Sequence, residues 1–288
     1  MSSNNMAQTK ILDPESWLSR FAPPHSAEAW DAVGLQVGNP ADPVRSVLLT
    51  LDVTPDAVQM ARQVEASLIL CHHPPVFHPL TGLRTDNPQQ KMLVDLASRG
   101  VSVLAAHTNL DQASGGVADC LADLLAAHFP EEARIEPLGL YGRLVTLARP
   151  VRWLRLLDLA QRALGAGGCL RNSAGDPLVQ RIGVYPGAFG EDFVPDAAGS
   201  GAQAVICGEC KHSTGLLLAL YGLDQASLGH DVTERVVLWP LAEKLREAFP
   251  QVRFAVCPGL DYNESAFRVS RTAAGVSRKA AREESPGS

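Results

Sequence analysis

The chain has 288 residues, 46% of them hydrophobic and 19% charged, with a net charge of -6. That length suits one large α/β unit or two small ones, and the negative charge argues against a general nucleic-acid surface. No apolar stretch is long enough to span a membrane, and neither the six cysteines nor the polar start Met1-Ser2-Ser3-Asn4-Asn5 suggests export, so a reducing cytoplasm is expected.

Ser46 to Leu51 reads as a buried strand. Thr54-Pro55-Asp56 then supplies an N-cap, a proline at the first helical position and an acid in the first turn, predicting a helix to about Ala66. Leu68 to Cys71 is a short apolar strand. Asn87-Pro88 opens a second helix that Gly100 stops. Val101 to Ala106 reads as a third strand and Gly116 to His128 as a third helix. Such alternation implies parallel strands with helical crossovers.

The second half is less regular. Leu144 to Ala148 reads as a strand, Val151 to Leu164 as a helix ended by Gly165, and Val179 to Tyr185 as a strand followed by a loose loop over 186–190. Ala204 to Cys207 and Ala226 to Leu228 are short apolar runs. Thr233 to Phe249 reads as a helix and Val252 to Val256 as a last strand. The expected fold is α/β, with mixed and parallel sheets flanked by helices, in two interlinked halves of roughly 9–135 and 136–267. Residues 268–288 are rich in Ser, Ala, Gly, Arg and Glu and are expected to be a disordered tail.

In a parallel α/β sheet, ligands bind beyond the carboxyl ends of the strands. Three of those ends carry histidine and carboxylate. The second strand delivers His72 and His73, the third His107-Thr108-Asn109-Leu110-Asp111, and a late strand Gly229-His230-Asp231-Val232-Thr233-Glu234. These ligand types suit Zn, Mn or Fe. Near a helix start, His230 and Glu234 fall on one side of the turn. His72, His73, Asp111, His230 and Glu234 are too many for one tetrahedral ion, and suit two cations sharing a carboxylate and a water.

The chain resembles the NIF-three-like family of dinuclear metal-centre proteins, named as GTP cyclohydrolase 1 type 2 homologues. The resemblance rests on Ala29-Trp30-Asp31-Ala32-Val33-Gly34-Leu35-Gln36-Val37-Gly38, Leu51-Asp52-Val53-Thr54 and Cys71-His72-His73-Pro74-Pro75. It continues through His107 to Asp111 and Gly229 to Glu234, in the family's order. It implies that His72, His73, Asp111, His230 and Glu234 hold two divalent cations, with Glu234 as the bridge. It implies that His107 lies nearby, either behind the ligands or facing the substrate, and a toroidal homohexamer with the sites facing an inner cavity. The segment from Tyr141 to Gly190 is too short for the inserted domain that some members carry. The family's Thr-Gly-Asp turn is replaced by Cys207-Gly208-Glu209, so a longer acid stands where the family has Asp.

The expected function is a metal-dependent hydrolase acting on a small molecule such as GTP or another nucleotide. A metal-bridged water would be the nucleophile, with His107 and Glu234 in catalytic roles and Glu209 a weaker proton shuttle. Lys211, Arg84 and Arg143 are candidates to meet a triphosphate. The alternatives are a dinuclear phosphoesterase of unknown substrate and a non-catalytic metal-binding scaffold. No GxxxxGK[ST] loop or GxSxG elbow is present. The Cys207/Cys210 CxxC lacks a second pair to complete a four-cysteine zinc site.

Overall fold

The structure is a computed structural model and describes residues 8–257. The expected tail at 268–288 lies outside the described residues.

The chain opens with helix α1 (Leu12–Phe21) and strand β1 (Gly34–Val37), neither of which the patterning indicated. Then come β2 (Ser46–Thr50), α2 (Pro55–Gln63), β3 (Leu68–Cys71), α3 (Pro88–Ser98), β4 (Ser102–Ala105), α4 (Thr108–Gln112) and α5 (Val117–His128). The second half holds β5 (Ala133–Leu138), β6 (Gly142–Arg152), α6 (Trp153–Leu164), β7 (Leu170–Arg171), β8 (Leu178–Phe189) and α7 (Val194–Gly199). It continues with β9 (Ala204–Cys210), α8 (His212–Leu220), β10 (Asp224–Ser227), α9 (His230–Glu234), α10 (Leu238–Ala248) and β11 (Arg253–Val256).

Local signals act as expected in the first half. The Thr54 hydroxyl accepts from the Ala57 amide at 3.2 Å, and the Asn87 side chain accepts from the Gln90 amide at 3.1 Å. Each cap satisfies a donor that has no partner within its helix, worth about 1 kcal/mol. Gly165 closes α6 at φ 65°, where a side chain would be strained.

The strands form two mixed sheets. The first has the order β1-β4-β3-β2-β11, parallel except for β1. The second has the order β5-β6-β8-β9-β10-β7, with β8, β9 and β10 parallel and the rest antiparallel. The halves interlink because β11, at the end of the described chain, pairs with β2 in the first sheet.

Both faces of the first sheet are covered, so its strands are continuously apolar rather than alternating. Val47, Leu49, Leu68 and Leu70 pack with Leu18, Leu241 and Leu245 on one face. Leu48 and Ile69 point the other way, against Ala57, Val58, Ala61 and Leu96. Register places the site. Cys71 lies beside Thr50 and Ala105, so β2, β3 and β4 end at one rim.

Two expectations need correction. Residues 186–189 continue β8 instead of forming a loose loop, with a register shift between Tyr185 and Ala188. The helix expected over 233–249 is divided into α9, a 3-10 turn at Arg235–Val237, and α10. Pro240 supplies the reason. It has no N–H to donate to Val236, and it fits only the first turn of a helix that starts afresh.

Candidate metal centre

His72 and His73 extend β3 past its last strand residue. Their amides donate to the carbonyls of Thr50 and Leu51 at 3.1 and 2.9 Å, so backbone pairing holds both side chains at the rim. His107 caps α4, and the turn that follows carries Asp111 back toward His72. His230 and Glu234 start and end α9, four residues apart on one side of the helix, with His230 Nε2 3.1 Å from Glu234 Oε2.

The five expected ligands converge as two triads that share Glu234. One is His72, Asp111 and Glu234; the other is His73, His230 and Glu234. His72 Nε2 lies 3.5 Å from Asp111 Oδ1 and 3.8 Å from Glu234 Oε2. His73 Nε2 lies 3.0 Å from the same Glu234 oxygen. His72 Nε2 and Asp111 Oδ1 are buried without a hydrogen-bond partner, while Glu234 Oε2 faces the Nε2 atoms of His73 and His230. Two unpartnered buried polar atoms are expensive unless something else pairs them. Their spacing is close to the ligand-to-ligand edge of a tetrahedral zinc-like ion, about 3.4 Å from its usual bond lengths. The donor set and the unpartnered atoms therefore fit a cation.

Each ring is oriented from behind, as in metal sites where the outer nitrogen is hydrogen-bonded. His72 Nδ1 donates to the Ala106 carbonyl at 2.9 Å, and His73 Nδ1 to Asp52 at 2.8 Å. His230 Nδ1 donates to Glu209 at 3.1 Å. The longer acid at 209 thus reaches a ligand histidine from the second sheet. His107 Nδ1 donates to Asp31 at 2.9 Å, leaving Nε2 uncommitted, and its ring lies 5.2 and 5.5 Å from those of His72 and His73.

Electrostatics follow the same division. Burial drives His72 down to about 4, so its ring is neutral near pH 7. Burial also opposes the charged forms of His73 and His230, but hydrogen bonds to Glu234 and to Asp52 or Glu209 outweigh it. They raise His73 to about 10 and His230 to about 9. Burial would raise Glu234, yet the hydrogen bonds from His230 and His73 hold it well below the usual carboxylate range. Asp111 is pushed well up by burial and by repulsion from Glu234.

Other expectations fare differently. Arg143 is buried against Asp119, and Arg84 pairs with Asp86, so both are committed elsewhere. His78 stands against Phe77, outside the triads. Cys71 and Cys207 are buried strand residues. Sequence reasoning assigned no role to Asp31, Asp52 or Gly187. Asp52 follows β2 at the rim and was findable by the strand-end rule. Asp31 has no such signal. Its carboxylate binds His107, the Thr108 amide at 3.0 Å and the Thr108 hydroxyl at 2.5 Å. Burial opposes this charge, but those bonds bring Asp31 down to about 2.

Gly187 lies where β8 meets the cluster. Its φ is 59°, and an added Cβ would overlap Glu234 Oε1 and approach His230 Nε2 to 3.3 Å. Its amide donates to the Thr233 hydroxyl at 3.1 Å, which fixes α9 against β8. Only glycine allows this approach.

These features define a two-sheet α/β protein with a histidine–carboxylate cluster at its strand ends, suited to a cation. The family model described as Duf34/NIF3 (NGG1p interacting factor 3) matches residues 9–259, and the chain belongs to that family. It is 32% identical over 240 residues to a Lactococcus lactis protein named GTP cyclohydrolase 1 type 2 homolog, covering 82% of this chain and 91% of that one. A Clostridium perfringens protein of the same name is 28% identical over 241 residues, covering 83% and 92%. Among solved structures, a Bacillus cereus protein related to NIF3 superposes with a TM-score of 0.78 at 21% identity, covering 87% of this chain and 97% of that one. A Staphylococcus aureus hypothetical protein gives 0.77 at 22% identity, with 87% and 96% covered. Among the described residues, no helix is long and apolar enough to cross a membrane.

Proposed function

We propose that the protein is a dinuclear metal-dependent hydrolase of a nucleotide or related heterocycle, in the manner suggested by its relatives' name. The observation that carries this reading is the sharing of Glu234 by two triads, with His72 Nε2 and Asp111 Oδ1 buried and unpartnered beside it. In this reading His72, Asp111 and Glu234 hold one divalent cation, and His73, His230 and Glu234 the other. Zn, Mn and Fe all suit such ligands. Cations held there would supply Lewis acidity and would lower the pKa of a bound water.

The remaining chemistry belongs to the chain. His107, held through Nδ1 by Asp31, presents Nε2 to take up or return a proton. Glu209 is tied to His230 and serves better as an orienting group than as a shuttle. Self-association into a toroidal homohexamer in the cytoplasm completes the reading. It is supported by apolar residues left exposed on α8 and β7, such as Leu216, Leu220 and Leu170.

The test is metal-loaded protein incubated with GTP. Release of formate with the ring-opened triphosphate supports the reading. Phosphate without formate redirects it to a phosphoesterase. No turnover across a nucleotide and phosphoester panel, with two metals bound, would leave a metal-binding scaffold.

A further inference from the structure

Two aromatic side chains at the rim of the cluster have no role in the core. Trp30 is 58% exposed and Phe77 37% exposed. Their ring centroids lie 5.6 Å apart at 49°, and each is 6.2 Å from the His107 ring. His107 in turn lies edge-on to His72 and His73. The aromatic surface thus runs from solvent to the metal-ligating histidines.

Both rings sit on anchored backbone. The Asp31 amide donates to Glu28 at 2.9 Å, and the Asp31 carboxylate is fixed by His107 and Thr108. The Glu28 amide donates to the Thr108 hydroxyl at 3.0 Å. On the other side, the Val76 amide donates to Gln36 at 3.0 Å, and Gln89 donates to the Pro75 carbonyl at 2.8 Å. Two aromatic rings on hydrogen-bonded backbone, beside a polar cluster, offer flat apolar faces with convergent polar groups next to them. Arg143 is buried against Asp119 and so is not free to grip a phosphate, and the flat faces of Trp30 and Phe77 are suited to a planar ring.

We propose that Trp30 and Phe77 form a stacking wedge for a planar nitrogen heterocycle of the purine class, with the ring's reacting edge turned toward His107 and the two triads. The inference rests on the hydrolase reading for the direction in which the ring faces. Stacking of a base on an aromatic side chain is worth about 1–3 kcal/mol. Removing Trp30 should therefore weaken binding by roughly 5- to 150-fold.

The test uses the full-length, metal-loaded protein. Guanosine and ribose 5-phosphate are titrated by calorimetry into wild type, Trp30→Ala and Trp30→Phe, with metal content and sedimentation measured on each. Guanosine should bind more tightly than ribose 5-phosphate. Trp30→Ala should lose at least 5-fold in guanosine affinity, and Trp30→Phe should recover much of it, with metal content unchanged. Equal binding of both probes, undiminished binding to Trp30→Ala, or no guanosine binding at millimolar concentration would overturn the wedge. A changed sedimentation coefficient for Trp30→Ala would also overturn it, because the ring would then be covered by a second copy of the chain. If metal content is nil while guanosine binding still depends on Trp30, the hydrolase reading fails and the wedge stands.

Discussion

His72 Nε2 and Asp111 Oδ1 face each other across 3.5 Å, both buried and neither hydrogen-bonded. The gap is long for a hydrogen bond and close to the edge between two ligands on one ion. If each triad holds one cation, as proposed, Asp111→Asn should lower bound metal from two equivalents toward one, while Glu234→Gln should lower it further because both triads lose a ligand. Elemental analysis on folded, monodisperse protein checks both. Unchanged metal content in the pair would sink the ligand assignment.

Metal uptake should release protons. Hydrogen bonds to Glu234 and to Asp52 or Glu209 raise His73 to about 10 and His230 to about 9, favouring the charged rings at pH 7. A cation must displace those protons, and apparent affinity should rise with pH until the two rings are neutral. As the pH falls, His72 protonates last, at about 4. Calorimetry in two buffers of different ionisation enthalpy counts the protons. Metal binding with no buffer dependence at pH 7 would contradict the histidine roles.

Gly187→Ala should damage the site from a strand that supplies no ligand. The added methyl would overlap Glu234 Oε1, and the positive φ adds about 1–2 kcal/mol of strain. Metal content and melting temperature should both fall. Gly199→Ala is the control, since a Cβ there meets nothing within 4 Å and lies at the end of α7. That variant should melt at or slightly above wild type. Matching behaviour of the two variants would remove Gly187 from the account.

Asp119 and Arg143 offer a pH test away from the cluster. Burial would raise Asp119, but the hydrogen bond from Arg143 outweighs it and holds the carboxyl low. A lowered folded value stabilises above the unfolded pKa of about 4, and that contribution is lost as pH falls through the folded value. Asp119→Asn leaves Arg143 charged and buried at pH 7. The cost is about 2 kcal/mol, below that of a fully enclosed pair because Asp119 is a quarter exposed. Thermal melts should show a gap of roughly 4–8 °C at pH 7 that narrows below pH about 4. A gap independent of pH would refute the ion pair's role.

Much of the first sheet was legible because local signals agree there. Thr54 and Asn87 cap helices, and Val47 to Leu49 and Leu68 to Leu70 are buried on both faces. The five candidate ligands were legible because they follow the ends of β3, β4 and β10. Other features depend on approach in space. Gly187 reads as a loop residue until β9 and α9 are packed beside it. Asp31 acquires its role from partners 76 and 77 residues away. β5, whose half-buried residues pair only with β6, lacks the apolar run that marks a buried strand.

The return of β11 to the first sheet has a consequence for biosynthesis. β2 gains its second neighbour only when residues 253–256 have been made. Glu234, common to both triads, is also a late arrival. A nascent chain therefore presents His72 and His73 for most of its synthesis without the acid that joins the two triads. Selective loading is a task for the finished chain, and any chain released early carries a histidine pair open to whichever ion is most abundant.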